Sequence, residues 1–304
     1  MPHAGSGKRP KVSVMMIVKD EVATIETALA SLLHQTTDDW ECVIIDDAST
    51  DGTSELLQSL KDSRFRVFCS ETPLGRGAAR QKAISQACGS YITTLDGDDF
   101  FFPEKLERQS QVLDENPELT ATATGFFLFQ QEGRPLGKAV GYWPPGFRTL
   151  PATIQHLRVP FAPIMFRAAH IGESSYQKTF LRSEDQDFFT RILMGRQVHI
   201  SDDHLYAYRW QFLASNVLAG LKQGEHFYLS SFRCSPVRSL LYFGYTRLKY
   251  ILYSIVVRLG LWEPLKRIRY KKATSEEEKR FLEILEECSV WRATDSGEAH
   301  RSEA

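Results

Sequence analysis

Apolar runs rich in β-branched residues alternate with helical periodicity along the first hundred positions. "KVSVMMIV" (11–18) reads as a buried strand, and "VATIETALASLLHQ" (22–35) then spaces Ile25, Leu29, Leu32 and Leu33 as one face of a helix. "WECVIIDD" (40–47) is a second strand, closed by the turn and cap residues of "ASTDGT" and followed by the helix "SELLQSLK". "FRVFCS" supplies a third strand, "GRGAARQKAISQACG" a helix that starts on small residues and stops at glycine, and "YITTLD" a fourth strand. This β-α-β-α-β-α-β order predicts a mostly parallel central sheet with helices on both faces. Its ligands are expected beyond the carboxyl ends of the strands. Further on, "GFFLFQQEGRPLGKAVGYWPPGFRTLPATIQHLRVPFAPIMFR" reads as a strand, a glycine-rich turn, a proline-rich loop carrying Tyr142 and Trp143, and a strand ending near Phe166.

Two of these strands end in acids. "SYITTLDGDDFFFPEKL" brings Asp96, Asp98 and Asp99 to the end of the fourth strand, immediately before a helix with proline in its first turn. "CVIIDDAST" brings Asp46 and Asp47 to the same edge of the sheet. Carboxylates held this close repel one another unless a cation or several donors compensate. Each cluster alone also reads as a helix cap, with Asp51 or Ser49 serving the second helix. Two acidic strand ends on one edge favour a hard divalent cation, Mg²⁺ or Mn²⁺, which takes one or two protein oxygens and shares the rest with water and phosphate.

The ordered set "VSVMMIVKDE", "VIIDDASTDGT", "GRGAARQKAI", "GSYITTLDGDDFFFP" and "RSEDQDFFTRIL" resembles the family 2 glycosyltransferases of the GT-A fold over about residues 11–210. The resemblance implies transfer of a sugar from a nucleotide diphosphate to an acceptor hydroxyl, with inversion at the anomeric carbon. It implies that Asp47 hydrogen-bonds the base, usually uracil, that Asp96 faces ribose and metal, and that Asp98 is the principal metal ligand. Asp46 shares that donor-side edge. Arg80, with Arg76 as a second candidate, matches the basic residue near the diphosphate, and the backbone around Ile17 and Val18 lines the nucleotide pocket. The family's base aspartate follows an acid in an E-D pair, which here is Glu184–Asp185; Asp185 is the base implied and Glu184 the fallback. "VKDE" stands where many relatives have "VYNE", and "ARQ" where they have "ARN", which leaves the nucleotide base open. In "LYAYRWQF" Tyr206 replaces the glutamine of the processive Q-x-x-R-W motif, while Arg209 and Trp210 remain, as acceptor contacts or as a packed aromatic with a snorkelling arginine. Trp143 and Tyr142, in the proline-rich loop, are expected either as stacking platforms for an acceptor sugar or as anchors of that loop.

A departing nucleoside diphosphate needs its new charge stabilised, which a divalent cation does as a Lewis acid. The acceptor hydroxyl needs one positioned carboxylate to take its proton. One base and direct displacement give inversion, and a metal-bound diphosphate leaves without the paired general acid of an inverting glycosidase. Glu184, Asp185 and Asp187 also sit where the first turn of a helix favours negative charge in any case.

Past residue 230 the composition changes. Between Arg233 and Lys272 lie ten Lys and Arg against one acid, Glu263, interleaved with Tyr, Leu, Phe, Ile and Trp262. This text suits a basic amphipathic helical region at an anionic membrane surface, or a helix packed on the core with its cations outward. Its longest apolar stretch, "YILYSIVV", is far short of the roughly 20 residues that span a bilayer. "TSEEEKRFLEILEE" follows as an acidic helix with a capping-box start, and "RATDSGEAHRSEA" reads as disordered.

These boundaries divide the chain into a tail (1–10), a donor-binding half (11–115), an acceptor half with the base (116–220), the basic region (221–272) and an acidic helix with its tail (273–304). Over 304 residues a net charge of −1 gives no global pull toward nucleic acid, and none is expected as a partner. The five scattered cysteines read as reduced core residues of a cytosolic chain, and the N-terminus shows no secretion signal, so a cytoplasmic protein peripheral to the inner face of the membrane is expected. The expected partners are a nucleotide-sugar donor, a saccharide or lipid-linked acceptor and an anionic membrane surface. Loss of the polymerase glutamine and of spanning helices favours single addition. A sugar-nucleotide pyrophosphorylase would need a glycine-rich basic loop after the first strand, which "VKDEVAT" lacks. A non-catalytic nucleotide-sugar-binding or membrane scaffold protein would be expected to have lost a metal aspartate or the base.

Overall fold

The computed structural model describes residues 9–291 apart from 131–132, 134, 140–143, 153–160, 173, 177–183, 211–217, 220, 223–227, 229–235 and 262–270. In chain order its elements are β1 (Val12–Val18), α1 (Ile25–Leu33), β2 (Trp40–Asp46), α2 (Thr53–Gln58), β3 (Phe65–Cys69), α3 (Arg76–Gln86), β4 (Tyr91–Thr94), β5 (Phe100–Phe101) and α4 (Lys105–Glu115). They continue as β6 (Leu119–Phe129), β7 (Pro135–Ala139), β8 (Gly146–Thr149), β9 (Ile164–Arg167), α5 (Glu184–Leu193), β10 (Gln197–Arg209), α6 (Pro236–Arg258) and α7 (Ser275–Val290).

The strands form one sheet in the order β3-β2-β1-β4-β9-β6-β10-β5, with β7 beside β6 and β8 beside β10. The parallel pairing expected holds for β3-β2-β1-β4 and again between β6 and β10. Elsewhere the sheet is mixed, because β9 runs antiparallel between β4 and β6, and β5, β7 and β8 pair antiparallel with their neighbours. A strand order that reverses beside β1 leaves a crevice at the carboxyl ends of β1, β2 and β4.

Helices cover both faces. Alternate side chains of a strand point to opposite sides, so Val14 and Met16 of β1 pack with α1, Leu57 of α2 and Leu106 and Leu113 of α4, while Met15 packs with Ala79 and Ala83 of α3 and Phe188 and Ile192 of α5. α7 begins with the capping box expected of it: Thr274 accepts from the Glu277 amide while the Glu277 carboxylate accepts from the Thr274 amide. Its Phe281 is fully buried among Phe100, Phe102, Phe127 and Phe129, with ring centroids 5.2–6.2 Å apart.

The basic region departs from one of its two expected placements. On α6 the apolar side chains face solvent, with Leu241 67% and Leu248 56% exposed, so a helix packed on the core with its cations outward is not what forms. Among the described residues no helix is long and apolar enough to cross a membrane. Of the cysteines, Cys42 and Cys288 are buried, whereas Cys69 at the end of β3 is exposed and is no core residue. The tails, 1–8 and 292–304, lie outside the described residues.

Candidate active site

The loops after β1 and β2 are cross-tied. The amides of Asp20, Glu21 and Val22 donate to Ser49 Oγ, Thr53 Oγ1 and Asp51 Oδ2 at 2.9, 2.9 and 3.0 Å, and Thr50 N donates back to Asp20 Oδ1 at 2.7 Å. Both loops turn through left-handed backbone at non-glycine residues, Asp20 (φ 54°) and Ala48 (φ 61°). These contacts fix one wall of a cleft of about 490 Å³ lined by Ile17, Val18, Glu21, Asp47, Asp96 and Asp98 among others.

Asp47 faces this cleft with its carboxylate accepting from the amides of Leu74 and Gly75, which places the start of α3 at the rim. A carboxylate has about four acceptor positions, so capacity remains for a ligand donor. Asp46 behaves differently. It is fully buried, lines neither cavity described here, and its carboxylate is taken up by the amide and hydroxyl of Ser49 and the hydroxyl of Ser54. The donor contact expected of Asp46 is therefore replaced by a role in building the β2–α2 turn.

The Asp96–Asp99 loop forms the floor. Asp99 N closes a turn onto Asp96 O at 3.1 Å, and Gly97 lies against β1, where an added Cβ would come within 1.9 Å of Glu21 Oε2 and 3.0 Å of Val18 Cγ1. Asp99 is buried and structural: Tyr206 Oη and the Arg209 amide each donate to it at 2.6 Å. Arg209 Nε donates to Asp98 O at 2.8 Å, so β10 holds the loop from the far side. Burial first, and then Asp96, pushes the Asp98 carboxyl up to about 6. Glu21 is pushed up to about 8, by burial and then by Asp98 and Asp96, and its Oε2 is a buried oxygen with no hydrogen-bond partner.

A second cavity of about 320 Å³ adjoins the first. Both are lined by Arg76, Arg80, Asp96 and Tyr208, and the second adds Thr94, Phe161, Glu184, Asp185 and Phe189. Arg80 spans the junction, with Nη2 4.0 Å from Asp96 Oδ1 and Nε 3.4 Å from Glu184 Oε1. Glu184 is buried at the start of α5, and burial raises its carboxyl above the usual range against the opposing pull of Arg80. Asp185 accepts from the amide of Gln186 at 2.7 Å, whereas Asp187 turns away to pair with Arg191 at 2.6 Å.

The site residues named from the sequence thus gather around two joined cavities, with exceptions. Arg209 lines the larger cavity, beside the acidic loop, and not the smaller one with the carboxylates of α5. Trp210 lines neither; its amide donates to Phe129 O at 2.8 Å and its ring packs edge-on to Tyr208. Trp143 and Tyr142 lie outside the described residues. Among the polar liners that the sequence did not single out are Lys19, Asp20, Glu21 and Tyr208. Glu21 and Lys19 stood in the quoted "VKDE", but only the fold shows that they face the acidic loop.

The donor set fits a divalent cation. Asp96 and Asp98 face one cleft, where burial and their mutual repulsion outweigh the pull of Arg209 and Arg76 on Asp98, and a buried carboxylate oxygen of Glu21 has no hydrogen-bond partner beside them. Among the described residues no group of three or more His, Cys, Asp or Glu is arranged around a common metal position, so a cation here draws its remaining ligands from water or from a bound ligand.

The profile of Glycosyl transferase family 2 matches residues 13–170, just over half of the chain. The chain belongs to that family. The matched span runs from β1 past the acidic loop to the end of β9 and so contains every strand that contributes to the larger cavity except β10. Family 2 relatives include the Bacillus subtilis glycosyltransferase TuaG, assigned to teichuronic acid biosynthesis, which is 37% identical over 134 residues, 43% of this chain and 53% of that one. Another is WfgD of Escherichia coli, a UDP-Glc:alpha-D-GlcNAc-diphosphoundecaprenol beta-1,3-glucosyltransferase, 34% identical over 34% of this chain and 42% of its own. The chain therefore spans about half the length of these relatives.

Among solved structures, residues 1–349 of S. aureus TarS in complex with UDP-GlcNAc share the fold with a TM-score of 0.58 at 18% identity, over 91% of this chain and 80% of that one. The mannosyltransferase PcManGT from Pyrobaculum calidifontis, in complex with GDP-Man and Mn²⁺, gives 0.56 at 14% identity, over 93% and 87%. The fold is thus the GT-A type that the family resemblance implied.

Proposed function

We propose that this chain is an inverting, divalent-cation-dependent glycosyltransferase that moves one sugar from a UDP-linked donor to an acceptor hydroxyl of a cell-surface glycan or lipid-linked saccharide. The observation that carries this reading is the pair of joined cavities: acidic loop and Asp47 in one, Glu184 and Asp185 in the other, with Arg76, Arg80, Asp96 and Tyr208 between them. Residues 11–115 form the donor half and residues 116–220 the acceptor half. TuaG, WfgD and the TarS complex supply the chemical precedent of surface polysaccharide, lipid-linked acceptor and UDP-sugar.

In this reading the base and ribose lie along Ile17, Val18 and Asp47, and Arg76 and Arg80 meet the diphosphate. Asp98 and Asp96 are the carboxylates that would hold Mn²⁺ or Mg²⁺; a bound cation supplies Lewis-acid neutralisation of the leaving diphosphate. Asp185 takes the proton of the acceptor hydroxyl as the new bond forms. Glu184, buried and paired with Arg80, holds that arginine between donor and acceptor sides. Arg209 positions the acidic loop through Asp98 O. A lipid-linked acceptor places the reaction at the inner face of an anionic membrane.

Asp185→Asn should lower kcat by about 10²–10⁴-fold while leaving UDP affinity intact. Turnover with UDP-GlcNAc or UDP-Glc and the anomeric configuration of the product by NMR check both the base and the inversion. A product of retained configuration, or an Asp185→Asn variant with full turnover, would contradict the mechanism.

A further inference from the structure

α6 is built inside out for a helix on a soluble domain. At 100° per residue Leu240, Leu241, Leu248, Ile251, Leu252 and Ile255 fall within an arc of about 120°. All six are 47–67% exposed. The opposite face carries Ser239 and Thr246, the two side chains of the helix that are buried. An ordinary amphipathic helix buries its apolar stripe and shows its polar one.

The charges follow the same geometry. Arg238 and Lys249 border the apolar arc on one side, and Arg247 and Arg258 border it on the other, with no acid from Pro236 to Arg258. Cations flanking an apolar arc are placed to extend their heads to anionic headgroups while the arc enters the acyl boundary. A second copy of α6 laid against this arc would set like charges along both seams. The helix is about 35 Å long at 1.5 Å per residue, room for the whole arc to lie in the membrane plane.

The helix is also tied to the reaction site. Tyr242, on its inner side, stacks on Tyr228 with ring centroids 5.2 Å apart, and Tyr228 Oη accepts from Gln186 Nε2 at 3.3 Å, one residue beyond Asp185.

We infer that α6 is an in-plane docking helix for an anionic lipid bilayer, its Leu and Ile arc inserted and its four cations on the headgroups, which seats the α5 end of the smaller cavity next to the membrane. The inference rests on the membrane placement proposed above and is independent of the transfer chemistry.

The test is co-sedimentation of the full chain with vesicles of phosphatidylglycerol and phosphatidylethanolamine, against vesicles of phosphatidylcholine. The parent should bind the anionic vesicles, more weakly as salt rises, and bind phosphatidylcholine far less. Leu241→Glu/Leu248→Glu/Leu252→Glu should abolish binding, and each of Arg247→Ala and Lys249→Ala should weaken it about fivefold. These side chains face outward, so an unchanged melting temperature and unchanged UDP binding report an intact fold. Lost vesicle binding with retained UDP binding thus bears on docking alone. No binding by the parent, or binding indifferent to the Leu substitutions, would overturn the inference. So would a parent dimer that the Leu substitutions dissociate without any vesicle binding, since the face would then belong to a second copy.

Discussion

Glu21 and Gly97 show how much of the site is decided by single residues. Gly97 can lie against β1 because it has no Cβ, and the space so released is filled by the Glu21 carboxyl. That carboxyl is buried next to Asp96 and Asp98, which moves it from its usual 4.5 up to about 8. The consequence for stability has a definite sign. Below pH 4.5 Glu21 is protonated whether the chain is folded or not. Between 4.5 and about 8 the unfolded chain ionises while the folded chain keeps its proton, so stability declines as pH rises across that window and levels off above it. Glutamine imitates the protonated acid. Glu21→Gln should therefore remove this part of the decline and gain on the parent steadily from pH 5 to pH 8 in urea unfolding; curves that stay parallel across that range would contradict the burial of a neutral Glu21.

At the scale of elements, α7 shows the limit of local reading. Its cap and its extent were legible, since Thr274 and Glu277 form a capping box by local chemistry. Its role was not, because Phe281 finds Phe100, Phe102, Phe127 and Phe129 only when β5, β6 and α7 converge. Phe281→Ala should cost about 3–5 kcal/mol of unfolding free energy, as for other buried aromatics cut to alanine. A loss under 1 kcal/mol would mean that α7 is not integral to the core. The same contrast runs through the sheet. β1, β2 and β4 were legible as buried apolar runs, and Asp47, Asp96 and Asp98 were legible as acids at their carboxyl ends. The antiparallel insertion of β9 between β4 and β6 was not, since partners 41–76 positions apart in sequence are chosen by topology rather than by periodicity. Tyr208 was overlooked for a related reason: it becomes a shared wall of two cavities only because β10 pairs with β6 and β5. Asp46 was misplaced because a strand-end acid facing a ligand and one capping a turn look alike until Ser49 and Ser54 are seen to consume it.

At the scale of the whole molecule, two surfaces that are remote in sequence are joined through α5. The acidic loop, Arg80 and the Glu184–Asp185 pair form a continuous charged path between the cavities, and Gln186 and Tyr228 link that path to the inner side of α6, whose outer arc is exposed. A donor from the aqueous side and an acceptor from a membrane would meet at the junction. The transfer itself depends on the carboxylates after β4 holding a cation with a donor diphosphate. The decisive measurement is UDP binding by titration calorimetry with Mn²⁺ and with chelator, for the parent and for Asp98→Ala. The account predicts binding by the parent that needs Mn²⁺ and is lost in Asp98→Ala. Binding that is indifferent both to Mn²⁺ and to the substitution would contradict it.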